Sequence, residues 1–198
     1  PDVAVITNIG PSHLEKLGSL DGVMREKGAI FEGMAEGGVG VLNFDDERCR
    51  RLADRVPGWF VSYGLAEDAD VRAFEVSRRS GSDGFDVQLA DGTRFALPAA
   101  GRHNVTNALA AIACCVALEL EPRETAPLFA SYRPPEMRMN VRVLDGGTVV
   151  IDDAYNANPM SLAAAMDELR DRRCAGRRVC IVGDMLESGR LPGSGALR

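Results

Sequence analysis

The strongest constraint on this chain is a repeated order of segments: a short apolar run, a polar loop rich in glycine or asparagine, then an amphipathic helix. Val3 to Thr7 reads as a buried strand. Ser19 is placed to cap a helix whose apolar positions Leu20, Val23, Ile30, Phe31 and Met34 fall three, four and seven apart. Val39 to Leu42 reads as the next buried strand. A strand–helix–strand order of this kind predicts an α/β fold with a mostly parallel sheet flanked by helices.

Residues 56–100 break the rhythm. Trp59–Tyr63, Val71–Val76, Phe85–Leu89 and Thr93–Leu97 read as short strands, separated by Ser80-Gly-Ser-Asp-Gly84 and Asp91-Gly92. The Asp-Gly pair suits a hairpin, so a small antiparallel sheet inserted into the α/β unit is expected here. A helix from Asn104 to about Leu120 follows, with Leu109, Ile112, Val116 and Leu120 along one face.

Arg133-Pro-Pro-Glu136 reads as a linker, because two prolines fix φ. Beyond it a second strand–helix–strand unit is expected. Its parts are a strand at Thr148–Ile151, a helix opened by Asn158-Pro159 and running to about Arg173, and a strand at Val179–Val182. The chain enters its first strand directly after Pro1, which reads as a fragment.

Composition excludes several classes. With 45% hydrophobic and 26% charged residues, 198 residues suffice for a sizeable core. The net charge of −6 argues against a general nucleic-acid or anionic-membrane binder. No apolar run is long enough to span a bilayer, so no membrane insertion is expected. The five cysteines, Cys49, Cys114, Cys115, Cys174 and Cys180, form no CxxC pair. They read as reduced, buried, structural thiols of a cytoplasmic protein.

Three polar segments follow apolar runs: Asn8-Ile-Gly-Pro-Ser-His13, Asp152-Asp-Ala-Tyr-Asn-Ala-Asn158 and Gly183-Asp-Met-Leu-Glu187. Ligands bind at the carboxyl ends of parallel strands, so these loops are the candidate site. The only two histidines, His13 and His103, lie in such segments. His103 sits in Gly101-Arg-His-Asn-Val-Thr-Asn107, where a helix begins; its free N–H groups could hold a nucleotide, or Asn104 could simply be the cap. Lys27 falls on the apolar stripe of its helix. Either its stem is buried with the ammonium at the edge, or its amine is desolvated and reactive. Only two of the 23 basic residues are lysine, Lys16 and Lys27, which favours a particular need at Lys27.

Taken in order, these segments together with Lys27-Gly-Ala-Ile-Phe31 and Arg138-Met139 resemble the Mur ligase family, the ATP-dependent amide ligases of peptidoglycan synthesis. Tyr155-Asn-Ala-Asn-Pro159 and Gly183-Asp-Met-Leu-Glu187 are most similar to one branch. That branch joins D-Ala-D-Ala to a UDP-N-acetylmuramoyl-tripeptide. The resemblance implies a central ATP-binding domain over 1–145 and, over 146–198, the beginning of a second, C-terminal domain of nucleotide-fold α/β architecture. It implies magnesium held by His13 and by Lys27 as a carbamate. Asn104, Asn107, Asp153 and Asn156 would contact the nucleotide, and Arg138 would reach its phosphates. His13, Lys27 and Arg138 would serve catalysis, carried out in the cytoplasm by a monomer. The family's phosphate-cradling G-x-x-x-x-G-K-[ST] loop is not found in these 198 residues, nor is the domain that grips the UDP-sugar. The fragment alone is therefore expected to be inactive. Two alternatives stay open: a non-catalytic remnant that binds nucleotide or a partner chain, and another Mur-like ligase such as a relative of folylpolyglutamate synthase.

Overall fold

The computed structural model describes residues 1–11 and 14–185, with the backbone alone for 14 and 15. In chain order the elements are β1 (Val3–Ile6), α1 (Leu14–Leu17), α2 (Leu20–Gly28), β2 (Val39–Asn43), α3 (Glu47–Arg51), β3 (Trp59–Gly64), β4 (Val71–Arg78), β5 (Phe85–Leu89), β6 (Arg94–Leu97), α4 (His103–Ala117), α5 (Pro122–Thr125), β7 (Asn140–Val143), β8 (Val149–Asp152) and α6 (Pro159–Asp171). Short 3-10 segments follow α2, α3 and α5.

Six strands form one sheet in sequence order, β1-β2-β3-β4-β5-β6. The pairs β1–β2 and β2–β3 are parallel, in the registers Val3↔Val39 and Val39↔Trp59. Strand β2 is buried along its whole length, as expected for a central strand covered on both faces. One face, with Val39, Val41, Val61 and Tyr63, packs on Val105, Leu109, Ile112 and Ala113 of α4. The other, with Ala4, Ile6 and Leu42, packs on Val23, Phe31, Cys49 and Leu52. The alternation of Val41 and Leu42 between clusters is the period of two that a pleated strand imposes.

The antiparallel part does not stand apart as a separate sheet. Trp59–Tyr63, expected within it, lies in β3, which pairs parallel with β2. Strand β4 begins where β3 ends, overlapping it in parallel only at Tyr63↔Val71 and Gly64↔Arg72, and carries β5 and β6 antiparallel on its far side. Because the overlap is so short, the chain needs only a sideways step and not a full crossover. Asp70 secures that step: its carboxylate accepts from the Ser62 amide at 2.8 Å and from the Ser62 hydroxyl at 2.6 Å.

Helix α2 is capped as expected, Ser19 Oγ accepting from the Gly22 amide at 3.1 Å. It ends at Gly28, however, and the tighter turn over Ala29–Gly33 changes the angular period. Phe31 therefore stays buried while Ile30 is exposed. Helix α4 ends three residues before the expected Leu120. Glu119 takes φ +62°, its amide bonds to Val116 O and the Leu120 amide to Cys115 O, which is a Schellman stop. Leu120 lies beyond the stop and is exposed.

The second unit departs furthest from expectation. Strand β8 pairs antiparallel with β7, in the register Val141↔Ile151, and with no other strand among the described residues. Residues 179–182 form no strand: among the described residues no neighbouring strand offers them a ladder, and Val179 and Ile181 stand exposed. Gly183-Asp-Met185 is likewise irregular, and the rest of that segment lies outside the described residues. Helix α6 forms as predicted. Asn158 and Ser161 make a reciprocal capping box around Pro159, whose missing N–H costs nothing in the first turn. Among the cysteines, Cys49 is buried and Cys114 and Cys115 are half-buried, but Cys174 and Cys180 are exposed, against the expectation of burial. Among the described residues, no helix is long and apolar enough to cross a membrane.

Candidate functional site

The loop leaving β1 is held from three directions. Asn43, at the end of β2, donates from Nδ2 to the Thr7 carbonyl at 2.9 Å. Asp46, the N-cap of α3, accepts from the Ile9 amide at 2.7 Å, and its other oxygen accepts from the Arg48 and Cys49 amides. Lys27 Nζ donates to the Asn8 carbonyl at 2.9 Å. Lys27 is half-buried, so its stem follows the apolar stripe and its ammonium reaches the loop that leads to residue 13. His13 itself lies outside the described residues. Cys49, beneath this loop, has its thiol pushed up to about 12, chiefly by burial and then by the Asp46 carboxylate.

Neither Asn43 nor Asp46 stood out in the sequence. The signal was available: Asn43-Phe-Asp-Asp46 is another polar segment directly after an apolar strand.

The turn into α4 forms the next wall. Gly101 has φ +85°, and a Cβ there would meet the His103 ring at 2.5 Å, so both backbone and space demand glycine. His103 opens the helix. Burial holds its imidazole below the ordinary histidine range, against the opposing pull of Asp153 and Glu168, and its buried Nδ1 has no hydrogen-bond partner among the described residues. Asn104 is not the cap, since it lies inside the helix. Its Nδ2 donates to Ala100 O at 2.7 Å, and its Oδ1 accepts from Asn107 Nδ2 at 3.2 Å. The i, i+3 spacing puts both amides on one face.

The third wall comes from the segment between the two units. Met137 and Met139 have φ +57° and +52°, so Arg138 stands between two left-handed residues. Such backbone costs about 1–2 kcal/mol per non-glycine residue and persists only where its surroundings enforce it. Here the Met139 amide donates to Asp153 Oδ1 at 3.1 Å and the Tyr155 amide to Met137 O at 3.2 Å. The Arg138 guanidinium lies 4.0 Å from the centre of the Tyr155 ring.

These walls enclose a cleft of about 580 Å³. Of the residues proposed from sequence, Asn104, Asn107, Arg138 and Asp153 line it together, with Asn8 and Gly10 from the first loop and Met160 and Ser161 from α6. Asn156 does not: it is exposed, and its Oδ1 accepts from the Ala157 amide at 2.9 Å. Lys27 is not among the described residues on the cleft surface and, among those residues, meets it through Asn8. Chemically, the cleft offers amides that suit a base edge, a carboxylate that suits hydroxyls, and a guanidinium that suits phosphate. Among the described residues, no group of three or more His, Cys, Asp or Glu side chains could hold a metal.

The family profile of the Mur ligase middle domain matches residues 1–115, and that of the Mur ligase, glutamate ligase domain matches residues 137–197. The UDP-N-acetylmuramoyl-tripeptide--D-alanyl-D-alanine ligase of Bacillus subtilis is 35% identical over 191 residues, covering 96% of this chain and 41% of its own length. A crystal structure of MurF from Acinetobacter baumannii superposes with a TM-score of 0.85 at 32% identity, covering 96% of this chain and 41% of that one. The MurF ligase of Thermotoga maritima, solved in complex with ADP, gives a TM-score of 0.73 at 26% identity, covering 86% and 39%. This chain thus spans about two fifths of the length of the relatives it matches. With one profile covering more than half of its residues and the second following in order, the chain belongs to the Mur ligase family.

Proposed function

We propose that the chain is the central and early C-terminal part of an ATP-dependent ligase of peptidoglycan synthesis. In this reading the complete enzyme joins D-Ala-D-Ala to a UDP-N-acetylmuramoyl-tripeptide, activating the substrate carboxylate as an acyl phosphate that the amine then attacks, with release of ADP and phosphate. The observation that carries the reading is the cleft that gathers Asn104, Asn107, Arg138 and Asp153 from both units. Asn104 and Asn107 bind the adenine edge, Asp153 the ribose hydroxyls, and Arg138 turns from Tyr155 toward the phosphates, where a guanidinium stabilises developing negative charge. Asn156 belongs to the same loop and contacts nucleotide only if that loop rearranges. The expected division at 145/146 falls within the β7–β8 hairpin, and the second profile match begins ahead of it, at 137.

Magnesium fits the donor chemistry only if Lys27 is modified. An ammonium is no metal ligand, whereas a carbamate at Lys27 supplies the oxygens that magnesium prefers, alongside His13. The bound metal would supply charge stabilisation on phosphoryl oxygens. The proposed setting is a cytoplasmic monomer.

The 198 residues contain no G-x-x-x-x-G-K-[ST] segment, so turnover requires residues beyond them. Calorimetry on this chain should therefore give weak binding, similar for adenosine and ATP and insensitive to magnesium. Asp153→Ala and Asn104→Ala should abolish it. Undiminished binding by both variants would overturn the nucleotide assignment. Phosphate release by this chain alone, with ATP, UDP-muramoyl-tripeptide and D-Ala-D-Ala, would overturn the need for further residues.

A further inference from the structure

Glu168 is the most deeply buried charge described in the chain. Its side chain is 1% exposed, on a helix whose other apolar-facing positions are only half-covered. Its carboxylate is fully engaged. Arg78 of β4 donates through both terminal nitrogens, at 3.0 Å to Oε1 and 2.9 Å to Oε2. The Gly101 amide donates to Oε2 at 3.1 Å, and Arg172 to Oε1 at 3.2 Å. Arg172 also pairs with Asp83, so two arginines and two carboxylates balance in charge. Arg78 and Gly101 lie in the part matched by the middle-domain profile, and Glu168 in the part matched by the C-terminal one.

A buried ion pair is weak evidence of stabilisation, because desolvation offsets its attraction. What this one provides is placement. A bidentate guanidinium fixes the carboxylate plane, and the remaining lone pair takes the backbone N–H of the residue whose φ of +85° starts the turn into His103 and Asn104. Helix α6 approaches the opposite wall as well: a Cβ on Gly10 would meet Met160 Sδ at 2.3 Å.

We infer that Glu168 is a positioning residue that fastens the C-terminal unit onto the turn opening α4, so that docking of α6 sets the geometry of His103 and Asn104 in the cleft. The nucleotide part of this inference rests on the function proposed above. Release of Glu168 frees α6 and leaves the Gly101 N–H without its acceptor, loosening the wall to which Asn104 belongs.

The test uses this chain with Glu168→Gln, which keeps shape and one acceptor but removes the charge. A Glu168→Met/Arg78→Met double variant, which replaces the pair by apolar volume, guards against simple unfolding. The readouts are Gly101 amide exchange, the radius of gyration in solution, and ADP affinity from titration of the asparagine side-chain amides. We expect Gly101 exchange at least tenfold faster, a larger radius of gyration and ADP binding at least threefold weaker, in a variant that still unfolds cooperatively. Unchanged Gly101 exchange overturns the inference, as does faster exchange with unaltered ADP affinity. If the unsubstituted chain takes up no ADP, the proposed function fails instead, and exchange and radius of gyration alone decide whether Glu168 fastens the two units.

Discussion

Lys27 Nζ stands 2.9 Å from the carbonyl oxygen of Asn8, joining the last turn of α2 to the loop that follows β1. Among the described residues, this is where the lysine singled out by its helix stripe touches the candidate site. Lys27→Ala in this chain should speed amide exchange across residues 8–11, since the hydrogen bond that holds the Asn8 carbonyl is gone. In a longer protein that carries the phosphate loop, Lys27→Ala should remove most ligase activity and Lys27→Arg should not restore it. A guanidinium can replace the hydrogen bond but cannot form a carbamate. A short-chain carboxylic acid added to Lys27→Ala should recover part of the rate. Near-parental activity of Lys27→Arg would leave the hydrogen bond as the residue's whole role.

Asp46 carries two tasks on one carboxylate, capping α3 and holding the Ile9 amide. Losing the cap costs about 1 kcal/mol, and losing a charged hydrogen bond about 1.5–3 kcal/mol. Asp46→Ala should therefore destabilise the chain by about 2.5–4 kcal/mol in urea unfolding. Asp46→Asn, which can still accept, should lose less. If the two variants are equally unstable, the charge and not the geometry is what matters.

Glu119 ends α4 in the left-handed region at φ +62°, where a side chain clashes with its own carbonyl. Glycine is free of that clash but loses more backbone entropy on folding. The difference favours glycine, so Glu119→Gly should raise stability by about 0.5–1 kcal/mol. A measured loss of stability would mean that the Glu119 side chain makes a contribution its exposed position does not suggest.

His103 is held neutral by burial, with its folded pKa below the ordinary histidine value of about 6.5. The unfolded chain then binds the proton more readily than the folded one. The stability that His103 contributes is complete above about pH 6.5, declines as pH drops below that value, and is lost once pH passes through the lower folded pKa. Urea midpoints measured from pH 8 to pH 5 should fall, and His103→Gln should flatten that slope. A slope identical in the variant would assign the acid sensitivity to carboxylates instead.

The local sequence determined the elements whose signals are local. Ser19 and Asn158-Pro159 are complete capping instructions within four residues, and α2 and α6 begin where those side chains meet the free amides. The apolar runs before and after α2 were long enough to demand buried strands, and β1 and β2 pair in parallel as the strand–helix–strand order requires. The family motifs also named four residues, Asn104, Asn107, Arg138 and Asp153, that meet in one cleft. Tertiary structure decided everything that depends on a distant partner. Trp59–Gly64 joined the parallel strands because the open edge of β2 lay beside it, a fact no local pattern carries. Val179–Val182 has the composition of a strand but, among the described residues, meets no neighbour, and a strand without a ladder is not a strand. Asn43 and Asp46 acquired their roles only when the end of β2 came beside the end of β1. Nothing in the local sequence singles out Glu168 among the charges of its helix. It became a buried link only because Arg78 and Gly101, 90 and 67 residues away, converge on its carboxylate.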